Sequence, residues 1–211
     1  MRLAYLALAG FMAGLTGALA QVRFSVGPVP YTMQNMGVIL AGLLLPPTYA
    51  LLSMLLYVLL IAIGVPAAAG FHGGLAVLLG YTGGYILGFV IAAPLMSVLS
   101  RAYLSRRRVS LDSIGGRDIA VLLALSLVAA LPVYLLGFIV FAHYALPGTG
   151  LYSWSSKVCG WLGLPASSRL LVLLVATTLV FLPQDLFVDH LLAVLVARGA
   201  TRIMRARGLL A

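Results

Sequence analysis

LLVLLVATTLVFLPQDLFVDHLLAVLVA, residues Leu170 to Ala197, decides how the last membrane segment is built. The stretch is apolar except around Pro183, Gln184 and Asp185. It reads as one kinked helix, or as a short outer segment (Leu170 to Leu182) followed by a true span that starts at Pro183. The outer segment has 13 residues. At about 1.5 Å each they reach about 20 Å, short of about 30 Å of hydrocarbon. Proline suits a first helical turn, where its missing N–H would have no partner. The second reading is therefore preferred. The run counts as one crossing either way.

Working outward from that run, 63% of the 211 residues are hydrophobic and 8% are charged. Soluble domains hold about 45–50% apolar and about 25% charged residues. This chain cannot coat itself in water, which excludes a soluble enzyme, a nucleic-acid reader and a disordered protein. Five more apolar runs precede the last. They lie at about Leu3–Ala20, Met33–Leu45, Tyr49–Gly64, Leu75–Leu99 and Ile119–Phe141. The segment His143–Ser168, with Trp154, Lys157, Cys159 and Trp161, reads as a long mixed loop. The N-terminal stretch has the look of a signal peptide. It is read as an uncleaved first span, because the topology closes with it in place.

The basic residues set the orientation. With six spans and both ends inside, ten of the 13 Lys and Arg face the cytoplasm: Arg2, Arg101, Arg106, Arg107, Arg108, Arg117, Arg198, Arg202, Arg205 and Arg207. Arg23, Lys157 and Arg169 stay outside. This bias is the one that anionic inner-leaflet lipid selects. The expected fold is a single all-α domain, residues 1–211, in the plasma membrane, with six transmembrane helices, N-in and C-in. Gln21–Tyr31, Val65–Gly74 and the start of the last helix then converge on the outer face, which points to a site open to the exterior.

Little catalytic chemistry is available. Asp185 and Asp189 are the only acids within the spans, and a carboxylate in apolar surroundings is a functional hypothesis by default. Asp185 also sits where an acid would cap the helix starting near Pro183, so capping and ligand binding compete. His190 reads as a packed or bonded histidine rather than a metal ligand. No HExxH or CxxC spacing occurs, no metal site is expected, and one cysteine makes no disulfide. No P-loop occurs, so ATP hydrolysis would need another subunit. Small residues repeat every four positions at Ala9, Ala13 and Gly17, and again at Gly80, Gly84 and Gly88. Such stripes allow close helix approach in lipid. The glycine stripe reads as internal packing, whereas the first is also a candidate face for a partner.

Four motifs go beyond composition: GPVPYTMQNMGVILAGLLLPP (Gly27–Pro47), LLYVLLIAIGVP (Leu55–Pro66), HGGLAVLLGYTGGYILGF (His72–Phe89) and FLPQDL (Phe181–Leu186). In this order they closely resemble the BioY family, the biotin-specific substrate-capture subunits (S components) of energy-coupling-factor (ECF) vitamin importers. The resemblance covers about 75 residues, within Gly27–Phe89 and Phe181–Ala193. It implies a six-helix S-component fold with no enzymatic activity and no resident cofactor. A vitamin would be captured from outside under a lid of outer loops. The subunit would dock on a transmembrane coupling subunit carrying two ATPase subunits, with release by tilting in the membrane. By motif position it implicates Thr32, Gln34, Tyr85 and Asp185 in ligand binding, with His72 on the lid or wall. Ala9 and Ala13 match the family's A-x-x-x-A docking pattern, and Gly17 extends it.

The chain departs from the family at two positions. The usual D-x-x-K has Val188 where Lys stands, and Tyr81 replaces the proline of G-P-T-G-G-Y. Losing Lys removes three donors and a charge. Both positions are therefore added to the expected binding site, and lipoate, which shares biotin's acid tail but carries an apolar ring, becomes the second ligand. Arg23 could hold the tail carboxylate, but an ordinary interfacial arginine is the preferred reading. A stand-alone proton-coupled carrier, using Asp185 and Asp189 as a relay, is the competing reading from another class.

Overall fold

The computed structural model describes residues 2–25, 27–165 and 168–207. The chain runs α1 (Arg2–Leu19), β1 (Arg23–Ser25), β2 (Pro30–Thr32), α2 (Gln34–Leu44), α3 (Pro47–Ala62), α4 (Leu75–Leu79), α5 (Gly83–Arg107) and a 3-10 turn (Leu111–Ser113). It continues through α6 (Gly116–Tyr144), α7 (Gly150–Trp161) and α8 (Arg169–Leu174). After a π-helical stretch, Val175–Leu179, come α9 (Leu182–Gln184), a second π-helical stretch (Asp185–His190) and α10 (Leu191–Ala206). Among the described residues, four helical stretches are long and apolar enough to cross a membrane: α1, α5, α6 and Arg169–Ala206. Two shorter apolar helices are α2 and α3.

Helix α5 packs against α2, α3 and α6, while α1 lies on α2 and α3, and α10 on α2 and α6. Tyr57, Ile39, Met54, Phe89, Met96 and Leu122 fill the core between them. The outward faces remain apolar, with Leu131, Leu135 and Ile139 exposed on α6 and Leu55, Leu59 and Ile63 exposed on and just beyond α3. Such rows suit lipid as solvent.

Glycines set the tightest approaches. A Cβ on Gly88 would stand 2.5 Å from Val133 Cα, and one on Gly84 would collide with the Leu136 carbonyl. A Cβ on Gly42 would stand 2.6 Å from the Ala93 carbonyl oxygen. Only residues without side chains let these backbones meet so closely.

Several expectations change. The fold is not purely helical, because β1 and β2 form an antiparallel hairpin that pairs Arg23 with Thr32 and Phe24 with Tyr31. Within His143–Ser168, Gly150–Trp161 is helical rather than loop, with the Thr149 side chain accepting from the Tyr152 N–H at its start. The run Leu75–Leu99 is two helices, so Gly80 caps α4 while Gly84 and Gly88 meet α6. The last run breaks at Val180–Phe181 and restarts at Leu182, with Pro183 in the first turn. The remainder is wound partly as π-helix.

The docking stripe is also corrected. Ala9, Ala13 and Gly17 are buried within the chain's own fold. A Cβ on Gly17 would meet Ala67, and the neighbouring Thr16 lies against Gly37. Small side chains here let α2 and the segment after α3 approach α1, which leaves no surface at these residues for a partner. The exposed small positions on α1 are Ala4, Ala7, Gly14 and Ala18.

Candidate functional site

A half-open cavity of about 490 Å³ lies at the end of the molecule where the hairpin, the α3–α4 loop and the N-termini of α2 and α5 meet. Such a volume is typical of small-molecule sites. Helix α2 accounts for much of the space. Its 11 residues rise about 17 Å, roughly half of a membrane span, so the chain reaches Gln34 before it has covered the full depth.

Asp185 forms the deep end. It is 4% exposed, and its Oδ2 accepts a 2.6 Å hydrogen bond from the Tyr134 hydroxyl of α6. The Asn35 side chain also donates to this carboxylate. Asp185 is therefore held by side chains rather than capping the helix that starts at Leu182, whose N-cap receives no side-chain bond. The π-helical turn after it brings Asp185, Asp189 and His190 all into the interior. Wide turns of this kind occur often at functional sites.

Gln34 anchors the wall. Its Oε1 accepts from the Thr32 hydroxyl at 2.9 Å, and its Nε2 donates to the Tyr57 hydroxyl at 2.6 Å. Tyr57 passes the chain on to the Ala67 carbonyl at 3.0 Å. Gln184 donates to the Thr32 carbonyl at 3.0 Å and to Asp189 at 3.3 Å, tying the hairpin to the final helix. Tyr85 donates to the Thr177 carbonyl (2.8 Å) and Tyr81 to the Pro28 carbonyl (3.0 Å). These tyrosines face the cavity with their rings and spend their hydroxyls on holding the hairpin and the final helix in place.

The structure thus gathers Thr32, Gln34, His72, Tyr81, Tyr85 and Asp185 around one cavity. Val188 is not among its walls. The wide turn that buries Asp189 swings Val188 outward, leaving it 41% exposed. The lost lysine therefore contributes no apolar surface to the cavity. His190 is bonded rather than free, its Nδ1 2.8 Å from the Ser126 hydroxyl. Among the described residues no cluster of three or more metal-ligating side chains exists.

Two contributors lie outside the four motifs. Gln21 donates to the Gly17 and Ala68 carbonyls at 3.0 Å and accepts from the Phe71 N–H at 2.9 Å. It clamps the root of the hairpin to the lid loop. Arg23 lies on the cavity rim beside Gly70. Among the described residues no ion pair involves Arg23, which leaves its charge facing the cavity. Between rim and floor the walls are apolar, formed by Val29, Val77, Ile86, Phe89 and Phe181.

Helices that suit lipid, with a polar-floored cavity at one end, define a helical integral membrane protein built to hold a small molecule. Comparison with known proteins agrees. The BioY family model matches residues 1–206, and the chain belongs to the BioY family. A probable biotin transporter BioY of Pyrococcus horikoshii is 49% identical over 92 residues, 44% of this chain and 57% of that protein. The biotin transporter BioY of Thermotoga maritima is 40% identical over 92 residues, 44% of this chain and 54% of that protein. The chain thus spans about half the length of the curated relatives it matches. Over nearly the whole fold it is similar to the crystal structure of the S-component for biotin from an ECF-type ABC transporter. There the TM-score is 0.70 at 25% identity, covering 95% of this chain and 92% of the other.

Proposed function

We propose that this chain is the biotin-capturing S component of an ECF-type importer, crossing the membrane six times with both ends inside. The observation that carries the ligand assignment is the cavity's two poles. A buried carboxylate, Asp185, sits beside Asn35 at the floor, and the guanidinium of Arg23, which forms no ion pair among the described residues, stands at the rim. Biotin has matching ends. Its ureido N–H groups donate to Asp185 and its tail carboxylate meets Arg23, while the ring sulfur and methylenes lie on Phe89, Ile86 and Val77. A site that accepts N–H donors at a buried carboxylate discriminates strongly against a ring without them. Lipoate offers only an apolar dithiolane there, and Val188 supplies no compensating wall.

The basic residues support the orientation, and the names of the relatives support transport. For delivery, the exposed face of α1 at Gly14 and Ala18 is the surface we assign to the coupling subunit. A Cβ on Gly14 would meet nothing within 4 Å. The ATPase subunits would act through that coupling subunit.

The Arg23 assignment is tested by pairing a protein change with a ligand change. Arg23→Gln should weaken biotin by roughly 10-fold and leave biotinamide, which lacks the carboxylate, unchanged. Equal weakening of both ligands would remove Arg23 from the carboxylate.

A further inference from the structure

A second cavity, of about 610 Å³, opens at the opposite end of the molecule, between the N-terminal turns of α1 and the C-terminal ends of α2, α5 and α10. Nothing in the capture of a vitamin at the other end uses it. Two arginines line it, Arg101 of α5 and Arg108 immediately after α5. No acid lines it. The reason lies in how the chain spends its carboxylates. It has only four acidic residues. Asp185 and Asp189 are buried in the final helix at the far end. Asp112 is taken by Arg205 at 2.7 Å, and Asp118 by Arg107 at 3.5 Å. Among the described residues Arg101 bonds only the neutral Ser97 hydroxyl, at 3.1 Å. Two cations thus share one concavity, and among the described residues no carboxylate is left to neutralise them.

The backbone helps to present one of them. Arg108 adopts φ +53°, the left-handed conformation that ends α5. The remaining lining is mostly apolar, with Leu8, Leu44, Leu104 and Met204 prominent. Cations above an apolar wall, at a helix-end level, are the pattern that receives an anionic head with an acyl chain beneath it.

We propose that this cavity binds a phosphate-bearing anion, and that its apolar walls make the ligand an anionic phospholipid. The lipid's phosphate would bridge Arg101 and Arg108, and its first methylenes would lie along Leu104 and Met204. The guanidinium fork suits phosphate oxygens in pairs.

The test uses the purified full chain in a neutral detergent. Dioctanoyl phosphatidylglycerol, dioctanoyl phosphatidylcholine and inorganic phosphate are titrated separately, following the melting temperature and lipid retention by native mass spectrometry. Phosphatidylglycerol should raise the melting temperature and be retained, and phosphatidylcholine should do neither. Arg101→Gln with Arg108→Gln should weaken phosphatidylglycerol by about 30-fold, roughly five- to sixfold per charge. Arg101→Lys with Arg108→Lys keeps the charge and should retain most of the binding, which separates charge loss from misfolding. Arg106→Gln with Arg202→Gln removes two arginines outside the cavity and should change nothing. Biotin binding should survive in all of these variants, so failure here is distinguishable from failure of the vitamin assignment. An equal response to inorganic phosphate would support the anion site and reassign its ligand to a soluble phosphate. Equal responses to the two lipids, or unchanged binding in the double Gln variant, would overturn the proposal.

Discussion

Gly88→Ala adds one methyl group where α5 and α6 approach closely. Its carbon would lie 2.5 Å from Val133 Cα, 2.9 Å from Val133 N and 3.0 Å from the Pro132 carbonyl oxygen. All three are backbone atoms, which cannot rotate away, so the helices must separate. Overpacking costs about 1–3 kcal/mol, and rigid neighbours place this site near the upper end. Alanine's better helix propensity returns about 1 kcal/mol, for a net loss of about 2 kcal/mol. For a chain of this size that lowers the melting temperature by roughly 4–8 °C. The same separation moves cavity walls, since Ile86 and Phe89 lie on α5 and Val133 and Tyr134 on α6, so biotin affinity should fall as well. Gly10→Ala is the matched control, because a Cβ there meets nothing within 4 Å. It should leave the protein unchanged or slightly more stable. Thermal unfolding of both variants in one detergent, with and without biotin, measures the difference. If Gly88→Ala melts with Gly10→Ala and binds biotin as the parent does, the close packing of α5 on α6 is refuted.

Three further outcomes are expected. Tyr134→Phe strips Asp185 of its 2.6 Å hydrogen bond; a bond to a charged group is worth about 1.5–3 kcal/mol, so calorimetric biotin titration should show at least about a 10-fold weaker site, and unchanged affinity would mean that Tyr134 does not orient the carboxylate. Gly14→Leu should block co-purification with coupling subunits while biotin binding persists, and survival of the complex would move the docking surface off α1. Asp112 is held below the usual carboxylate range, first by the Ser110 hydroxyl and then, against an opposing effect of burial, by Arg205. The sign follows from that depression: its stabilising contribution is fully present above the ordinary carboxylate value of about 3.9 and is lost as pH falls through the lower folded-state value. The small gap in melting temperature between parent and Asp112→Asn should therefore hold from about pH 7 to about pH 5 and narrow as pH falls below the ordinary carboxylate value of about 3.9; a gap independent of pH would break this linkage.

Apolar runs made most of the helices legible, because lipid imposes length and composition together. α1, α3 and α6 lie within a few residues of the runs that announce them. The break in the last helix was readable from Pro183, although the chain turns two residues earlier, at Val180–Phe181. What stayed hidden depends on tertiary contact. The hairpin is two three-residue strands held by Gln21, Gln184 and the tyrosines, none of which carries a strand periodicity. Helix α7 is amphipathic and short, its Val158 and Cys159 buried against the final helix, so composition alone reads it as a mixed loop. Val188 shows the limit most clearly. Ordinary helical spacing places it one turn after Asp185 on the same face, but the wider π-helical turn hands the interior position to Asp189. The family motif located Asp185, and Arg23, a weaker candidate from the sequence, lies on the cavity rim.

The most direct measurement is calorimetric titration of the purified chain with biotin and, separately, with lipoate, repeated for Asp185→Asn. Saturable binding of one biotin per chain is expected, weakened at least about 10-fold by Asp185→Asn in a protein that still folds, with lipoate bound far more weakly than biotin. Lipoate binding as tightly as biotin, or biotin binding indifferent to the loss of the Asp185 charge, would contradict the two-pole cavity as the vitamin site.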